Sequence, residues 1–390
     1  MLFATKICKR DLKMNKKIQV AVLACGNRSK HVVGALLRDS KRNVEIVSVY
    51  DPDPNAVEDV LSFWDMPNAR SCASYQEAIN TPGVEWVMVF SPNAYHKEQV
   101  VAAFEAGKNV FSEKPLATTI DDCVAINEAH RKSGKLFATG FVLRYAPIYR
   151  KAKEILNSGI LGDLISMEAN ENITPEHGSY IMRNWRRKTE LAGPHILEKC
   201  CHDLDLIEWL TDSLPAKIMA FGGRDFFLPK NDDLFQYITP KIQGCWIDPH
   251  AIASPFTGDG DLMDNLISIA EFRNKVRVSF SCTMSNIIPE RRMYFSCSKG
   301  TMRLDLYSAT LSYATLDDGV VYTLDFHTDG HGGGDSFIMK ELYETMLQGT
   351  LPKCSGTEGL RSAVYAIGID QAAVSGKIVD MEPVWQKLGQ

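Results

Sequence analysis

Two polar segments of the 390-residue chain have residue types and spacings that suit proton transfer. In the first segment, Glu113 and Lys114 follow the apolar pair Val110-Phe111 and precede Pro115. This pattern predicts a charged pair at the point where a buried strand gives way to a loop. In an open parallel sheet, ligands bind at that carboxyl edge of the strands. A surface salt bridge beside a turn is the alternative interpretation.

The second segment, Gly193 to Asp205, has the pattern of an amphipathic helix start. Glu198, His202 and Asp205 are spaced i, i+4 and i+7, which predicts one common helix face. A carboxylate one turn from a histidine can fix the tautomer and tune the pKa of the ring, as a proton-relay histidine requires. A solvated polar stripe, a helix cap and half of a metal site remain alternatives. No third and fourth ligand occur at useful spacing, so we expect no metal.

Elements that could hold a dinucleotide lie near the start of the chain. Residues 18–37 predict a strand, a glycine turn and a helix in succession, which is the context of a dinucleotide-binding turn. Gly26 lets the backbone approach a pyrophosphate, whereas Ala24 and Ser29 are small replacements for the other two glycines of the usual motif. The candidate contacts in this turn are Gly26, Asn27 and Arg28.

Asp51 follows the next predicted strand, Val44 to Tyr50, where the ribose-binding carboxylate of a βαβ unit belongs. A carboxylate at this place accepts hydrogen bonds from the ribose hydroxyls and repels a 2′-phosphate, which favours NAD over NADP. Asp51 could also act as a helix N-cap before Pro52.

The pattern of strands and helices changes along the chain. Alternating strands and helices over residues 18–140 predict a doubly wound parallel sheet, and later strand-like runs predict a largely antiparallel sheet with one open face. The fold class is therefore α/β, with a Rossmann-type doubly wound domain at 16–144 and an α+β domain at 145–390. Helices at about 356–376 are expected to pack back on the Rossmann domain.

Three further expectations concern the edges of these domains and the cellular setting. Residues 1–15 are expected to be an extension, with Met14 as an alternative start. The irregular segment 232–260 is expected to be a loop insertion that lies outside the core and could border a site. A net charge of -5 without a basic stripe argues against nucleic-acid binding. The sequence contains no run of eighteen apolar residues, so no membrane span is predicted. Ten cysteines without a CxxC motif favour free thiols in a reducing cytoplasm.

Taken together, these motifs resemble those of the Gfo/Idh/MocA oxidoreductases, named for glucose–fructose oxidoreductase and inositol dehydrogenase. The resemblance extends from Lys16 to the C-terminus. It rests on the Gly26 turn, Asp51, Ser91-Pro92-Asn93 with His96, Ala106-Gly107-Lys108, Glu113-Lys114-Pro115-Leu116, Gly140-Phe141 with Arg144, and Gly193 to Asp205.

The resemblance implies an N-terminal NAD(P) domain and a C-terminal domain whose open sheet often mediates oligomers, so we expect a dimer or tetramer. It implies that Lys114 acts on the substrate hydroxyl and that His202 shares the proton transfer. Glu198 stands where many members carry aspartate and is counted with the catalytic residues. The nicotinamide is expected beside Ser91, Pro92 and Asn93, with His96 and Glu113 also among the cofactor contacts.

Three other residues are candidate substrate contacts. Arg144 could contact substrate or nicotinamide, or form a structural ion pair. Trp185 could stack on a sugar ring or belong to the core. His331 could border the pocket from a loop that leads into a helix, with Asp335 as the N-cap of that helix.

The main functional hypothesis is an NAD-dependent dehydrogenase acting on a secondary hydroxyl of a sugar, glycoside or cyclitol. A redox-neutral glycosidase that retains NAD, and oxidises a sugar carbon transiently before elimination, is the second hypothesis. A non-catalytic dinucleotide sensor is the third, and the presence of both Lys114 and His202 argues against it, because a sensor has no need for a base.

Overall fold

The computed structural model describes residues 17–242, 244, 250–327 and 332–390. The predicted extension at 1–15, the alternative start at Met14 and the candidate substrate contact His331 lie outside these described residues.

The first sheet contains six parallel strands in the order β3-β2-β1-β4-β5-β6. Its strands are β1 (Ile18–Leu23), β2 (Val44–Tyr50), β3 (Arg70–Ser71), β4 (Trp86–Val89), β5 (Asn109–Ser112) and β6 (Phe137–Thr139). Its helices are α1 (Asn27–Asp39), α2 (Pro54–Trp64), α3 (Tyr75–Ile79), α4 (His96–Glu105) and α5 (Ile120–Ser133). The strand order reverses between β1 and β4, and a crevice for ligands opens at such a switch point. The predicted doubly wound parallel sheet is confirmed.

The second sheet has nine strands in the order β14-β13-β12-β11-β7-β10-β9-β8-β15. Its strands are β7 (Leu164–Asn172), β8 (Pro215–Gly223), β9 (Asn265–Phe272), β10 (Arg277–Thr283), β11 (Arg292–Cys297), β12 (Gly300–Asp305), β13 (Thr310–Thr315), β14 (Tyr322–Asp325) and β15 (Val379–Asp380). All neighbours pair antiparallel except β7 and β10, which run parallel. The mainly antiparallel sheet is therefore confirmed.

Nine helices accompany the second sheet in the described part of the chain. They are α6 (Pro147–Asn157), α7 (Pro175–Arg183), α8 (Thr189–Ala192), α9 (His195–Glu198), α10 (Cys201–Thr211), α11 (Phe235–Ile238), α12 (Gly334–Gln348), α13 (Gly356–Ser375) and α14 (Glu382–Lys387). Helix α13 contacts both sheets, because it packs on β8 and also on α5 and β6. A Cβ at Gly356 would lie 1.8 Å from the Phe137 ring, so a glycine lets this helix approach β6 closely.

One face of the second sheet is open, as its alternating pattern predicts. Along β9, Leu266, Ser268 and Ala270 are buried, while Ile267 and Ile269 between them are exposed. Side chains alternate between the two faces of a strand, so the helices cover only the first set.

The described part of the insertion at 232–260 contributes two side chains to a hydrophobic cluster. Ile238 and Phe256 are buried, with Phe256 fully inaccessible, so the prediction that this segment lies outside the core is wrong for them. They belong to a second hydrophobic cluster, separate from the main core, that we call the insertion cluster. It consists of Ile173, Ile181, Met182, Phe227, Ile238, Phe256, Leu262 and Met284. The apolar residues of the insertion have no helical or strand period, so sequence patterning did not reveal their burial.

Among the described residues, no helix is both long enough and apolar enough to cross a bilayer.

A cavity of about 420 Å³ lies between α10 and α13 and has a buried acid in its wall. Glu208 is 6% exposed, and neither carboxylate oxygen has a hydrogen-bond partner among the described residues. Burial raises the pKa of Glu208 well above its usual range. The folded state therefore binds a proton that the unfolded chain releases above about pH 4.3, and the stability of the protein falls as pH rises past that value.

Replacing Glu208 with Gln is expected to remove this pH dependence. The free energy of unfolding of E208Q should exceed that of the parent at about pH 8 and approach it at about pH 5, because the amide cannot ionise. Urea titrations at both pH values measure the difference. Glu128→Gln on the exposed face of α5 is the matched control and should show no such change. A parallel shift of E208Q at both pH values would contradict the explanation.

Candidate active site

The loop after β5 carries the first polar segment to the carboxyl edge of the parallel sheet. The Glu113 N–H donates to the Val89 carbonyl at 3.0 Å, which continues the ladder with β4, and the Lys114-Pro115 peptide bond is cis. The Lys114 ammonium then donates to the backbone carbonyl of Glu198, with 2.7 Å between Nζ and O. This hydrogen bond joins the edge of the first sheet to the second polar segment.

The second polar segment does not form one helix. Helix α9 ends at Glu198 and α10 begins at Cys201, so the prediction of a continuous helix through Glu198 and His202 is wrong. In a continuous helix the Glu198 carbonyl would accept from the His202 N–H. Here that carbonyl accepts from Lys114, and a hydrogen bond from a charged donor is stronger than a neutral one. A tertiary contact has overridden a local helical pattern.

The Glu198 carboxylate lies in a buried, positively charged environment. Its Oε1 accepts from Arg186 Nε at 2.8 Å, and Arg186 also donates to the Tyr180 hydroxyl at 3.0 Å. Burial opposes the charge on Glu198, but Lys114 and Arg186 outweigh burial and lower the pKa of Glu198 to about 2. Glu198 is therefore an anion at neutral pH, suited to balance nearby cations rather than to accept a proton.

His202 lies on α10 beside the end of β6. Its ring is 3% exposed and packs edge-on against Phe141, with ring centroids 5.6 Å apart. Phe141 follows Gly140 directly after β6, so the fold brings the imidazole to the same edge of the parallel sheet as Lys114.

His96 links the loops that follow β4 and β5. Its Nδ1 lies 2.7 Å from the Pro115 carbonyl oxygen and its Nε2 lies 2.8 Å from the Ser91 carbonyl oxygen. The ring is 1% exposed, and burial lowers the pKa of His96. The ring thus lies between two backbone carbonyls, and a neutral imidazole donates to one of them, which favours a positioning role over a direct contact with a cofactor. Asn93 makes a comparable link, because its side-chain amide donates to the Ala192 carbonyl at 2.8 Å.

The turn between β1 and α1 has room for a ligand beside Gly26. Gly26 is exposed, and a Cβ added there would meet nothing within 4 Å, so packing within the protein does not require glycine at this place. The first N–H groups of α1 receive no side-chain cap. Open space beside uncapped helix N–H groups fits a pyrophosphate. Ala24 replaces the first glycine of the usual motif and adopts a positive φ of 70°.

Asp51 lies half-buried at the end of β2 with its carboxylate fixed by backbone donors. Oδ2 accepts from the Cys25 N–H at 2.7 Å and Oδ1 accepts from the Asp53 N–H at 2.8 Å. Asp53 is the N-cap of α2, so the alternative interpretation of Asp51 as that cap is wrong. The carboxylate keeps lone pairs for further donors, as a contact with ribose hydroxyls requires.

Arg28 connects the glycine turn to two acids. Its Nε donates to Glu113 at 2.7 Å and its NH1 donates to Asp335 at 3.2 Å. Asp335 lies in the first turn of α12, whose N-cap is Gly333, so the prediction of Asp335 as N-cap is wrong. A Cβ at Gly140 would lie 2.7 Å from the Glu113 carboxylate, which shows how closely Glu113 is packed.

Arg144 forms a two-pronged ion pair with Asp205 on α10. Arg144 Nε and NH2 each donate to one carboxylate oxygen at 2.7 Å, and Asp205 is 1% exposed. This arrangement is the structural ion pair that the sequence left open beside a substrate contact. The Trp185 ring, which is half-buried, lies 4.4 Å from the Arg186 guanidinium and so supports the arginine that pairs with Glu198.

A substitution separates the two roles of Arg144. Arg144→Gln is expected to lower the free energy of unfolding by about 3 kcal/mol, because Asp205 keeps a buried charge without its partner. The KM for substrate should change by less than about twofold if Arg144 acts only through Asp205. Chemical unfolding and steady-state kinetics measure both effects. The half-exposed pair of Arg292 with Glu290 is the control, and Arg292→Gln should cost less than about 1 kcal/mol. A large rise in KM with stability intact would assign Arg144 to the substrate.

Sequence reasoning missed Arg186 and the contacts that bring the insertion to the site. Arg186 is one of several basic residues at 186–188, and nothing in that run marks the one that pairs with Glu198. The insertion reaches the same stretch, because its Asp259 accepts from Arg187 at 2.6 Å and pairs with Lys188 at 2.9 Å. Segment 232–260 thus lies against the segment that carries Trp185 and Arg186.

Comparison with protein-family models gives two matches in succession. Residues 18–141 match an oxidoreductase family with an NAD-binding Rossmann fold, and residues 149–303 match the GFO/IDH/MocA C-terminal domain. The expected NAD-binding domain is thereby confirmed, and the comparison agrees with the free space beside Gly26.

Characterised relatives share part of this chain. An inositol 2-dehydrogenase of Gluconacetobacter diazotrophicus is 34% identical over 190 residues, which are 46% of this chain and 52% of that protein. A 2,7-anhydro-N-acetylneuraminate hydratase of Escherichia coli is 27% identical over 181 residues, 46% of each chain. The chain thus spans about half the length of these curated relatives.

A solved structure shares the whole fold. Levoglucosan dehydrogenase in complex with NADH and levoglucosan superposes with a TM-score of 0.78 at 17% identity, over 94% of this chain and all of that one. Both domain models, together with this likeness of fold, show that the chain belongs to the Gfo/Idh/MocA family of oxidoreductases.

Proposed function

We propose that this oxidoreductase transfers a hydride between NAD and a secondary hydroxyl of a sugar, glycoside or cyclitol, with Lys114 and His202 handling the proton. The observation that carries the proposal is the position of Lys114. Its ammonium stands at the carboxyl edge of the NAD-binding sheet and is held 2.7 Å from the Glu198 carbonyl oxygen. A general base or acid must lie within about 3 Å of the hydroxyl that it serves, and this edge is where substrate and cofactor meet.

The residues that we assign to the cofactor surround that edge. They are Gly26, Asn27, Arg28, Asp51, Ser91, Pro92, Asn93, Glu113 and Lys114, with His96 acting through the two loops that it joins. When bound, NAD supplies the hydride acceptor of an alcohol oxidation. Three parts of the site differ in role. The Gly26 turn leaves space for phosphates, and Asp51 holds the ribose. The loops joined by His96 position the residues near Lys114.

Lys114, His202 and Glu198 divide the remaining work. Lys114 hydrogen-bonds the reacting hydroxyl and exchanges its proton. His202 holds the same or a neighbouring hydroxyl from α10. Glu198 remains ionised and supplies negative charge that balances the Lys114 ammonium and the Arg186 guanidinium. Trp185 borders this group through Arg186 and is the ring we assign to a sugar face.

A redox-neutral reaction is the second candidate. The relative from Escherichia coli is named as a hydratase, and a hydration leaves no net change in oxidation state. In such an enzyme the same Lys114 and His202 would move protons while NAD stays bound between turnovers.

The fold also supports proposals on organisation. We assign residues 16–144 to the cofactor domain and 145–390 to the substrate domain, with α13 bridging the two sheets. The open face of the second sheet presents Phe221, Ile267 and Ile269, which suits association into a dimer or tetramer. Eight described cysteines are all free thiols, which agrees with the reducing cytoplasm.

The test is the absorbance of NADH when purified protein is mixed with NAD and a panel of polyols, sugars and glycosides. Growth of the NADH signal with one class of compound supports the dehydrogenase and identifies its substrate class. A silent panel, with NAD found in the purified protein and a glycoside consumed, supports the redox-neutral candidate. A protein that binds no dinucleotide would contradict both.

A further inference from the structure

Three soft metal ligands from different elements meet beneath the site. His195 begins α9, Cys200 lies in the break before α10, and Cys282 lies on β10 of the second sheet. One ligand atom from each lies within 4.8 Å of the other two, and the Cys200 sulfur is 3.9 Å from His195 Nε2. Two thiols and an imidazole at such separations are the donor set of a zinc site.

The cluster is buried. His195, Cys200 and Cys282 are 3%, 0% and 2% exposed. His195 Nδ1 makes no hydrogen bond within the described residues, although its Nε2 faces the sulfur. The contact of Nε2 with a thiol at 3.9 Å is a weak one for a buried imidazole, and a metal between the ring and the sulfurs would replace it with a strong one.

A fourth donor stands next to Cys282. Glu171 on β7 is the parallel partner of Cys282 in the sheet register, so both side chains point to the same face. Glu171 is fully buried, and neither of its oxygens accepts a hydrogen bond among the described residues. Its Oε1 forms direct ion pairs with Arg291 NH1 at 3.2 Å and with Lys199 Nζ at 3.6 Å.

Charge balance favours a divalent metal in this place. Zinc with two thiolates and a neutral imidazole adds no net charge to the interior, whereas a lone buried cation would be costly. The pair of thiols releases two protons when the metal binds, and the metal–sulfur bonds replace the weak contacts of the free thiols. Glu171 with its two cationic partners leaves the surroundings close to neutral.

We infer that His195, Cys200 and Cys282 form a structural zinc site, and that Glu171 shifts from its ion pairs to fill the fourth position. The site differs from the Glu198–His202 pair that the sequence considered for metal, because its ligands come from distant parts of the chain. It joins the break between α9 and α10 to the second sheet. Because Glu198 lies between two of the ligands, the metal would hold in place the carbonyl that receives Lys114.

Metal analysis of the full chain tests the inference. Protein incubated with zinc under reducing conditions and then dialysed against metal-free buffer should retain about one zinc per chain. Replacing zinc with Co²⁺ should give the visible bands of a tetrahedral site and thiolate-to-metal charge transfer. The melting temperature should rise with zinc concentration, because the metal binds the folded state.

Matched variants locate the metal. Cys200→Ser, Cys282→Ser and His195→Asn should each lose the bound zinc, whereas Cys123→Ser, which alters a fully buried cysteine on α5, should keep it. Retention of zinc by all three site variants would overturn the inference. The inference would also be overturned if the folded parent protein retains no zinc and gives no cobalt spectrum. A Cys200–Cys282 disulfide in parent protein purified without reductant would overturn it as well. The cobalt spectrum of the parent decides the matter if the variants do not fold.

Discussion

Lys114→Met is expected to lower kcat/KM for the alcohol substrate by about 10²–10⁴-fold while NAD still binds. Methionine keeps the length of the side chain but has no proton to exchange and no ammonium to hold the hydroxyl. The loss should appear mainly in kcat, because the missing interaction strengthens as the hydroxyl proton moves. Steady-state kinetics, with NAD affinity measured separately, gives both values.

Lys108, at the other end of β5, offers a control. It stands just before β5, is half-buried, and donates to the Val84 carbonyl at 2.9 Å, much as Lys114 donates to Glu198 after the strand ends. Lys108→Met removes a comparable hydrogen bond at the opposite edge of the sheet and should leave kcat unchanged. Equal losses in the two variants would mean that Lys114 serves the fold, not the reaction.

Gly26→Ala is expected to raise the KM for NAD by about tenfold or more, equivalent to about 1.4 kcal/mol or more of lost binding. The added methyl group would occupy the space that we assign to the pyrophosphate. Without NAD, the free energy of unfolding should change by less than about 1 kcal/mol, since the φ of -77° suits alanine and no atom lies within 4 Å. Dinucleotide titration and thermal unfolding, with and without NAD, measure the two quantities.

Gly244 is the matched position away from the cofactor domain. Among the described residues, a Cβ there also meets nothing within 4 Å, so Gly244→Ala tests the general cost of the methyl group. NAD binding should be unchanged in that variant. Normal NAD affinity in Gly26→Ala would place the pyrophosphate elsewhere.

Local pattern predicted the framework of the site because the parallel sheet leaves a strong signal. A buried strand such as Trp86–Val89 is a continuous apolar run. A polar residue directly after a strand of the parallel sheet, such as Asp51 after Val44–Tyr50, lies at the carboxyl edge. The same reasoning placed Glu113 and Lys114 there. The hydrogen-bond partner of Lys114 could not be predicted from the sequence, because the acceptor is a backbone carbonyl that no residue type identifies.

The errors have a common physical cause. The break at Lys199-Cys200 arises where long-range contacts replace local helical hydrogen bonds, and helical spacing alone cannot anticipate them. Arg186 and Phe256 were missed for the same reason, since one is recognised by an ion pair across the site and the other by burial against α7. The sequence pattern therefore predicted the strands and helices well, but it predicted poorly which side chains of different elements contact one another.

The separate packing of the insertion cluster affects how segment 232–260, which lies beside Arg186, can move and evolve. Its eight residues form a core of their own, so segment 232–260 can lose its contacts while the main core of the two sheets stays folded. Such a segment behaves as an independent unfolding unit, with its own opening equilibrium and its own hydrogen-exchange rate. We expect mutations in that segment to cost less global stability than mutations in the main core, so that the stretch beside Arg186 can change while the sheet assigned to NAD stays folded.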